Sequence, residues 1–480
     1  MRLLRPLLVL AVCSCTHAIA ADELKAGAFA QDITPTHLPS PINGNMKGAM
    51  ASTVNDPMHA RCLAVSNGKE ELILCVVDSC MIPREICETA KAMAAKDTGV
   101  PASHMLISAT HSHTCATMTA VFQSDPDPAY LAELPARIAA GLATAHRNLE
   151  PAEIAWNKDS DPTQVFNRRW LLKPDQSVEN PFGSKEDRAL MNPGIQSPRV
   201  SEPSGPVDPE VCILAARSLG DHRPIAVLAN YSLHYVGGLP AISADYYGVF
   251  ANEIATRLKA GDARYAGKPA FVGIMSNGTS GNINNVNFGG PSTIRKKAPG
   301  EQIRAVATSV GDAAMRAWDK LSWKATAPLA SAERDINLSV RKATAAEGKE
   351  AQRTLDNTAK DKDGQFSDRK AIYAREALLL GSYPDQVRCK LQAHRIGGLT
   401  IASIPCEVFV EIGLDLKKTM PLEEHFTISL ANGYNGYLPT PEHHKLGGYE
   451  TWRARSSYLE VDASTKITAQ LKEMLKEVAK

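Results

Sequence analysis

Neither sign of charge is in excess: 53 Lys and Arg stand against 52 Asp and Glu, a net charge of +1 over 480 residues. With no basic cluster there is no footprint for nucleic acid, and the expected partner is a small molecule. No cysteine pair is spaced C-x-x-C, which argues against a zinc finger. Beyond Ala20 no apolar run is long enough to form a transmembrane helix. There is also no internal repeat and no low-complexity segment, which argues against a solenoid or a fibrous chain.

What is present begins with a short leader. Arg2 and Arg5 precede the apolar run Leu7 to Val12, and Ala18-Ile19-Ala20 follows. A positive start, a short apolar centre and small residues at the end describe a secretory signal peptide over residues 1–20, cleaved after Ala20. A lipoprotein anchor at Cys13 or Cys15 is the weaker alternative, because neither sits among the small residues such a site needs. The mature chain is therefore expected to be secreted or periplasmic. It is read as one large domain over residues 21–480. Eight cysteines remain after the leader, and an oxidising compartment would permit any of 105 pairings among them.

The segment around which the chain is organised is Leu106-Ile107-Ser108-Ala109-Thr110-His111-Ser112-His113-Thr114. In extended backbone, residues two apart face the same side, so His111 and His113 can look into one cavity. Upstream, residues 71–77 read as a buried strand. Residues 83–96 read as a helix with proline in its first turn and Gly99 as its stop. Strand, helix, strand is a crossover that builds a parallel sheet, whose ligands bind beyond the strands' carboxyl ends. His111 sits at such an end. On this pair alone, hydrogen-bonded structural histidines remain an alternative to metal ligands.

The pattern recurs downstream. Residues 25–31 and 61–66 read as strands, the latter followed by an Asn67-Gly68 hairpin turn. Between them a Gly- and Pro-rich loop through Asn43-Gly44-Asn45 either lines a site or covers an edge. A helix over 130–147 precedes a long polar stretch, 159–209, that carries Asn167-Arg168-Arg169-Trp170. A hairpin, 212–218 and 225–233, runs into His234, a candidate third ligand. Asp245-Tyr246-Tyr247-Gly248 leads into a helix through Leu258, and a strand over 269–275 follows, which ends in a Gly- and Asn-rich turn through Asn284. After a helix over 301–321, two charged helices, 343–360 and 367–380, are expected to form a solvated excursion. A second hairpin, 387–395 and 399–404, hands over to Pro405-Cys406-Glu407, with Glu407 opening a helix. A strand over 426–431 then leads to Tyr437-Leu438-Pro439-Thr440 and to Tyr449, and a helix over 463–479 closes the chain.

Taken together, these strand-end residues resemble the catalytic domain of the neutral, non-lysosomal ceramidases, zinc enzymes that hydrolyse the amide of N-acylsphingosine. The likeness runs from about residue 25 to 455. Thr110-His111-Ser112-His113 is similar to the family's T-H-T-H segment. The resemblance implies zinc ligands at His111, His234, Glu407 and Tyr437, one ion per chain. It further implies transition-state roles for His113 and Tyr449, a substrate contact at Arg168, and an N-acyl amide, lipid or otherwise, cleaved by a zinc-activated water. A lipid substrate would bring contact with a membrane surface. The implied fold is α/β: one large catalytic domain of mixed sheets covered by helices, with the zinc site at strand ends.

The chain departs from the family where Asn284 replaces a serine to which a catalytic role is assigned; Asn284 is read instead as a substrate-binding residue whose amide donates a hydrogen bond. Cys115 and Ala116 also replace glycines after the His pair. Since the chain ends at Lys480, the β-sandwich domain that usually follows is read as missing. Hydrolysis of a non-lipid amide or an ester, or an exported binding protein with a vestigial zinc site, are the alternatives. Because the zinc ligands would draw Cys115 and Cys406 together, a disulfide between them is a further expectation.

Overall fold

A computed structural model describes residues 23–291, 297–420, 422 and 424–480. The signal-peptide segment lies outside the described residues. An eight-stranded mixed sheet runs in the order Val272–Asn277, Pro224–Tyr231, Glu210–Ser218, Glu150–Ser160, Lys25–Asp32, His59–Ser66, Glu71–Val77, Met105–Ala109. Its middle is antiparallel and each end pair is parallel. The Met105–Ala109 end is reached by the expected crossover. Helix Arg84–Thr98 buries Cys87, Ala90, Lys91 and Ala94, one stripe at helical spacing, and stops at Gly99 with φ +77°. Helix Asp245–Arg257 makes the crossover at the other end.

A second sheet of four strands, Leu329–Ser339, Gln386–Ile396, Leu399–Ser403 and Glu424–Ile428, packs against the first. Its last two strands are parallel, joined through helix Val410–Thr419. The residues after Glu424–Ile428 pass between the two ends of the large sheet. The Ser429 amide donates to the Asn277 carbonyl at 3.0 Å, and the Ala109 amide donates to the Leu430 carbonyl at 3.0 Å. The carboxyl ends of three parallel strand pairs thereby converge, and the loops leaving them carry His111, His234 and Glu407. The fold is thus α/β with mixed sheets covered by helices, as expected.

Several local expectations are corrected. Glu407 does not open a helix. Glu407–Val408 is a two-residue strand paired with Tyr437–Leu438, and the helix begins at Val410. The stretch 159–209 is not a continuous loop, since Arg169–Leu172, Ala189–Met191 and Val200–Pro203 form a small sheet and Phe166–Asn167 pairs with Ile283–Asn284. Of the helical excursion only Ala345–Asp356 is largely solvated. Arg369–Gly381 buries Ile372, Tyr373 and Glu376. The strand Leu329–Ser339 had no sequence counterpart, because its charged residues hide the alternation. Cys115 and Cys406 are both free thiols. They sit in different core clusters, with the Cys115 thiol 3.3 Å from the Ser243 carbonyl, so no bridge joins them.

Candidate metal centre

His111 is placed by unusual backbone. Its φ is +76°, a conformation that costs a non-glycine residue energy and is held here by its amide bonding to the Ser79 carbonyl at 2.8 Å. Its Nδ1 lies 2.9 Å from the Cys80 carbonyl. His234, one turn past strand Pro224–Tyr231, has its Nδ1 3.0 Å from the Ser280 carbonyl. A carbonyl only accepts, so each Nδ1 carries the proton and each neutral ring turns its Nε2 lone pair inward. Those two Nε2 atoms face each other at 3.0 Å. The Glu407 Oε2 lies 3.2 Å from the first and 3.9 Å from the second. That oxygen is buried and has no hydrogen-bond partner among the described residues, while the Tyr434 hydroxyl donates to Oε1 at 2.9 Å.

Of the three buried acceptors aimed at one point, His234 Nε2 has the Arg168 guanidinium within 3.2 Å, while Glu407 Oε2 is left unsatisfied. A proton on His111 would answer part of this, and the local field favours one. Burial works against that charge, but Glu407 and Cys80 outweigh it and raise the His111 pKa to about 10. Burial, Arg168 and the neighbouring imidazoles push His234 the other way, well down. Burial likewise opposes a charge on Glu407, yet His111, Arg168 and Tyr437 keep it below the usual carboxylate value. A single cation fits all three acceptors. Zinc bonds of about 2.0–2.1 Å put tetrahedral neighbours roughly 3.3 Å apart, within the spread of these separations. Two imidazoles and a carboxylate, with the Tyr437 phenol beside them through the Glu407–Tyr437 pairing, are a donor set suited to zinc.

The other expected residues fall as follows. His113 Nε2 is 3.1 Å from His111 Nε2, and its ring stacks on Tyr235 at 3.6 Å. Burial and the His111 and Arg168 charges push its pKa well down, so it stays neutral. A Cβ on Gly44, whose φ is +111°, would come within 2.2 Å of the His113 ring, so this glycine of the Gly- and Pro-rich loop is required for close approach. Tyr449 lines the cavity with its ring 5.7 Å from that of Tyr437. Burial raises the Tyr449 and Tyr437 pKa values, leaving both as phenols in the absence of a cation.

Arg168 is buried behind this layer. It donates to Glu450 at 3.1 Å, to the Gly281 carbonyl at 2.8 Å and to the Tyr437 hydroxyl at 3.0 Å, with Nη1 3.2 Å from His234 Nε2. Asn284 stands apart. Its side chain donates to Asn192 at 3.0 Å and accepts from the Val286 amide at 3.0 Å. Sequence reasoning missed Tyr434, Glu450 and Cys80 as parts of the site; of the two readings left open for the Gly44 loop, the structure has the one in which it lines the site. Tyr434 had a visible signal, standing three residues before Tyr437 in one Asn-Gly-Tyr-Asn-Gly-Tyr run.

The cavity over the centre is bounded by Gly44, Asn45, Met81, Phe122, Tyr434 and Tyr449 and measures about 20 Å³, room for an ion or a water. No helix among the described residues is long and apolar enough to cross a membrane. No family model matches the chain, and no curated protein matches it in sequence. The fold is similar to the crystal structure of neutral ceramidase from Pseudomonas aeruginosa, with a TM-score of 0.69 and 15% identity over 95% of this chain and 74% of that one. It is similar to a ceramidase complexed with C2 at a TM-score of 0.68 and 15% identity, over 95% and 75%. At that identity the likeness establishes a ceramidase-like fold.

Proposed function

We propose that the chain is a zinc-dependent hydrolase of a linear amide, cleaving an N-acyl amide of the kind a ceramidase cleaves, and that it acts outside the cytoplasm. The observation that carries this reading is the buried convergence of His111 Nε2, His234 Nε2 and the unpartnered Glu407 Oε2 at strand ends, in a ceramidase-like fold. His111, His234, Glu407 and Tyr437 would hold one zinc ion. When bound, zinc supplies a Lewis acid and lowers the pKa of a water to about 7, the two things amide cleavage needs.

The chain's own groups do the rest. Cys80 and Ser280 carbonyls fix the two histidine tautomers, and Glu450 fixes Arg168 behind Tyr437. His113 and Tyr449, both at the cavity, present an imidazole and a phenol to the oxygen that gains charge when the amide carbon is attacked. One of them returns a proton to the departing nitrogen. Asn284 would touch only the outer part of a substrate.

The test is metal analysis of the purified chain, together with amine release from a panel of N-acyl amides by the parent and by Tyr449→Phe. About one zinc per chain is expected, with Tyr449→Phe slowed by about a hundredfold while keeping its zinc. A chain that binds zinc and cleaves no amide would overturn the catalytic reading.

A further inference from the structure

The eight cysteines beyond the leader are all buried thiols, and the large sheet sets two of them face to face. Strands His59–Ser66 and Glu71–Val77 form the hairpin that turns at Asn67-Gly68, and its register puts Cys62 directly opposite Cys75. Both ends of the hairpin fix the phase of its hydrogen bonds. At the turn the Asn67 amide donates to the Glu70 carbonyl at 3.0 Å, and at the open end the Asp78 amide donates to the His59 carbonyl at 2.9 Å. Bonded and non-bonded positions alternate along an antiparallel pair, so Arg61 with Val76 and Leu63 with Leu74 are bonded positions, and Cys62 with Cys75 between them is a non-bonded one. Such positions hold Cα atoms about 4.5 Å apart with their side chains at closest approach. Disulfides span Cα separations of roughly 4.4–6.8 Å, so this backbone can carry one without moving.

Both side chains point to the face covered by helices Arg84–Thr98 and Pro128–Arg147, where they share one apolar cluster with Cys87, Ile138 and Leu142. Gly141 packs so closely over the hairpin that a Cβ there would lie 3.3 Å from the Cys62 sulfur. Joining the sulfurs draws them in to about 2.05 Å, so the bond shrinks the pair and the helices need not yield. The Cys62 thiol beside it, together with burial, pushes the Cys75 pKa well up. A thiol that does not ionise does not exchange, so the pair is inert once the sheet is covered and its oxidation belongs to folding. Among the described residues no other two cysteines are partners in a strand pair: Cys212 faces Lys158 and Asn230, and Cys389 faces Ile336.

We propose that Cys62 and Cys75 are joined by a cross-strand disulfide, closed as the chain folds outside the cytoplasm. The oxidant is the disulfide of a dithiol oxidoreductase or of a small thiol such as glutathione. The thiolate of one cysteine attacks that disulfide and releases one thiol, and the second cysteine then displaces the mixed disulfide and releases the other. One S–S bond forms in the chain and one breaks in the oxidant, which leaves as two thiols with the two electrons and two protons. The bond staples the strand that runs straight into Ser79 and Cys80, whose carbonyls hold His111. The proposal rests on the extracytoplasmic part of the reading above and is independent of the hydrolysis.

Peptide mapping tests it on the full chain, with free thiols capped by N-ethylmaleimide during unfolding. Trypsin releases residues 62–69 and 70–84, and a second cut before Asp78 parts Cys75 from Cys80. Two preparations are mapped: the chain taken from cells that make it with its leader, and the same chain reduced in urea and refolded in a glutathione redox buffer. Residues 62–69 should come off joined to residues 70–77 in both. A link after refolding with capped thiols in the cellular chain would uphold the site and sink the extracytoplasmic reading instead. Capped Cys62 and Cys75 in both, or a link from either to a third cysteine, would overturn the proposal. Reductant should also lower the parent's urea midpoint by about 0.5 M and leave that of Cys62→Ala unmoved. A parent midpoint equally unmoved would count against the staple. Should Cys62→Ala fail to fold by circular dichroism, mapping of the parent decides alone.

Discussion

Two buried polar clusters flank the small cavity, and they are opposites. In one, Glu376 is fully buried and receives a two-pronged contact from Arg455, Nε to Oε2 and Nη2 to Oε1, both at 2.8 Å. The same guanidinium also donates to the Phe122 and Ala120 carbonyls at 2.6 and 3.2 Å. Each nitrogen of the guanidinium meets at least one acceptor. In the other, His111, His234 and Glu407 turn acceptors toward acceptors, on backbone with a left-handed φ at His111. Equal burial with unequal satisfaction separates a strut from a candidate binding site: the first is complete as a protein, while the second leaves Glu407 Oε2 without a hydrogen-bond partner among the described residues and could take up a cation.

The sharpest way to break the comparison is to remove a histidine. His111→Ala or His234→Ala should lose most of the zinc, with affinity falling by more than about a hundredfold in chelator competition, and should abolish turnover. Full zinc retention by both variants would make the centre another strut. Next in size, Glu376→Ala should leave zinc content unchanged while costing about 3–5 kcal/mol in denaturant unfolding, because it strands the Arg455 charge in the interior. A loss of zinc in that variant would mean the two clusters are not independent.

Between the extremes stands Lys91, 3% exposed, whose ammonium donates to the Asn432 side chain. Burial lowers its pKa to about 8, against about 10.4 for an unfolded lysine. Between those values the unfolded chain holds the proton that the folded chain has released. Stability from this group therefore rises as pH climbs from about 8 to 10.4, by up to about 3 kcal/mol. Unfolding midpoints across that range should show the rise in the parent and lose it in Lys91→Met. A parent curve no steeper than the variant's would place the Lys91 charge in a solvated setting.

Much of this was legible in the chain. The strand Glu71–Val77, the crossover helix with its Gly99 stop and the Ala463–Val478 helix follow from periodicity and capping, which are local. The placement of His111, His234 and Glu407 at strand ends was legible too, because apolar runs ending in a polar donor are visible in sequence. What was not legible depends on closure. That Glu407 pairs as a strand with Tyr437, that Arg168 lies behind the donors and that Gly44 abuts His113 are set by segments far apart in sequence. The Arg455–Glu376 strut left no trace, since its partners are 79 residues apart and each looks like a surface charge.

Asn284 gives the smallest expected effect, and the most direct check of where the site ends. The sequence resemblance sets this position against a serine of the family, so a change to serine tests whether a hydroxyl here takes part in the chemistry. In this fold its carboxamide is engaged by Asn192 and the Val286 amide, and it does not border the cavity above the three acceptors. Serine would keep the short bond to the Val286 amide, by the same two-residue reach that Asn uses, and would give up the one to Asn192. An exposed side-chain bond of that kind contributes about 0.5–1.5 kcal/mol. Asn284→Ser should therefore keep its zinc, lose at most about 1 kcal/mol of stability and change kcat on N-acyl amides by less than about threefold. A gain of a hundredfold or more in kcat, with KM unchanged, would mean that position 284 reaches the reacting atoms in the working enzyme. The catalytic boundary drawn here around His113 and Tyr449 would then have to be moved outward to include it.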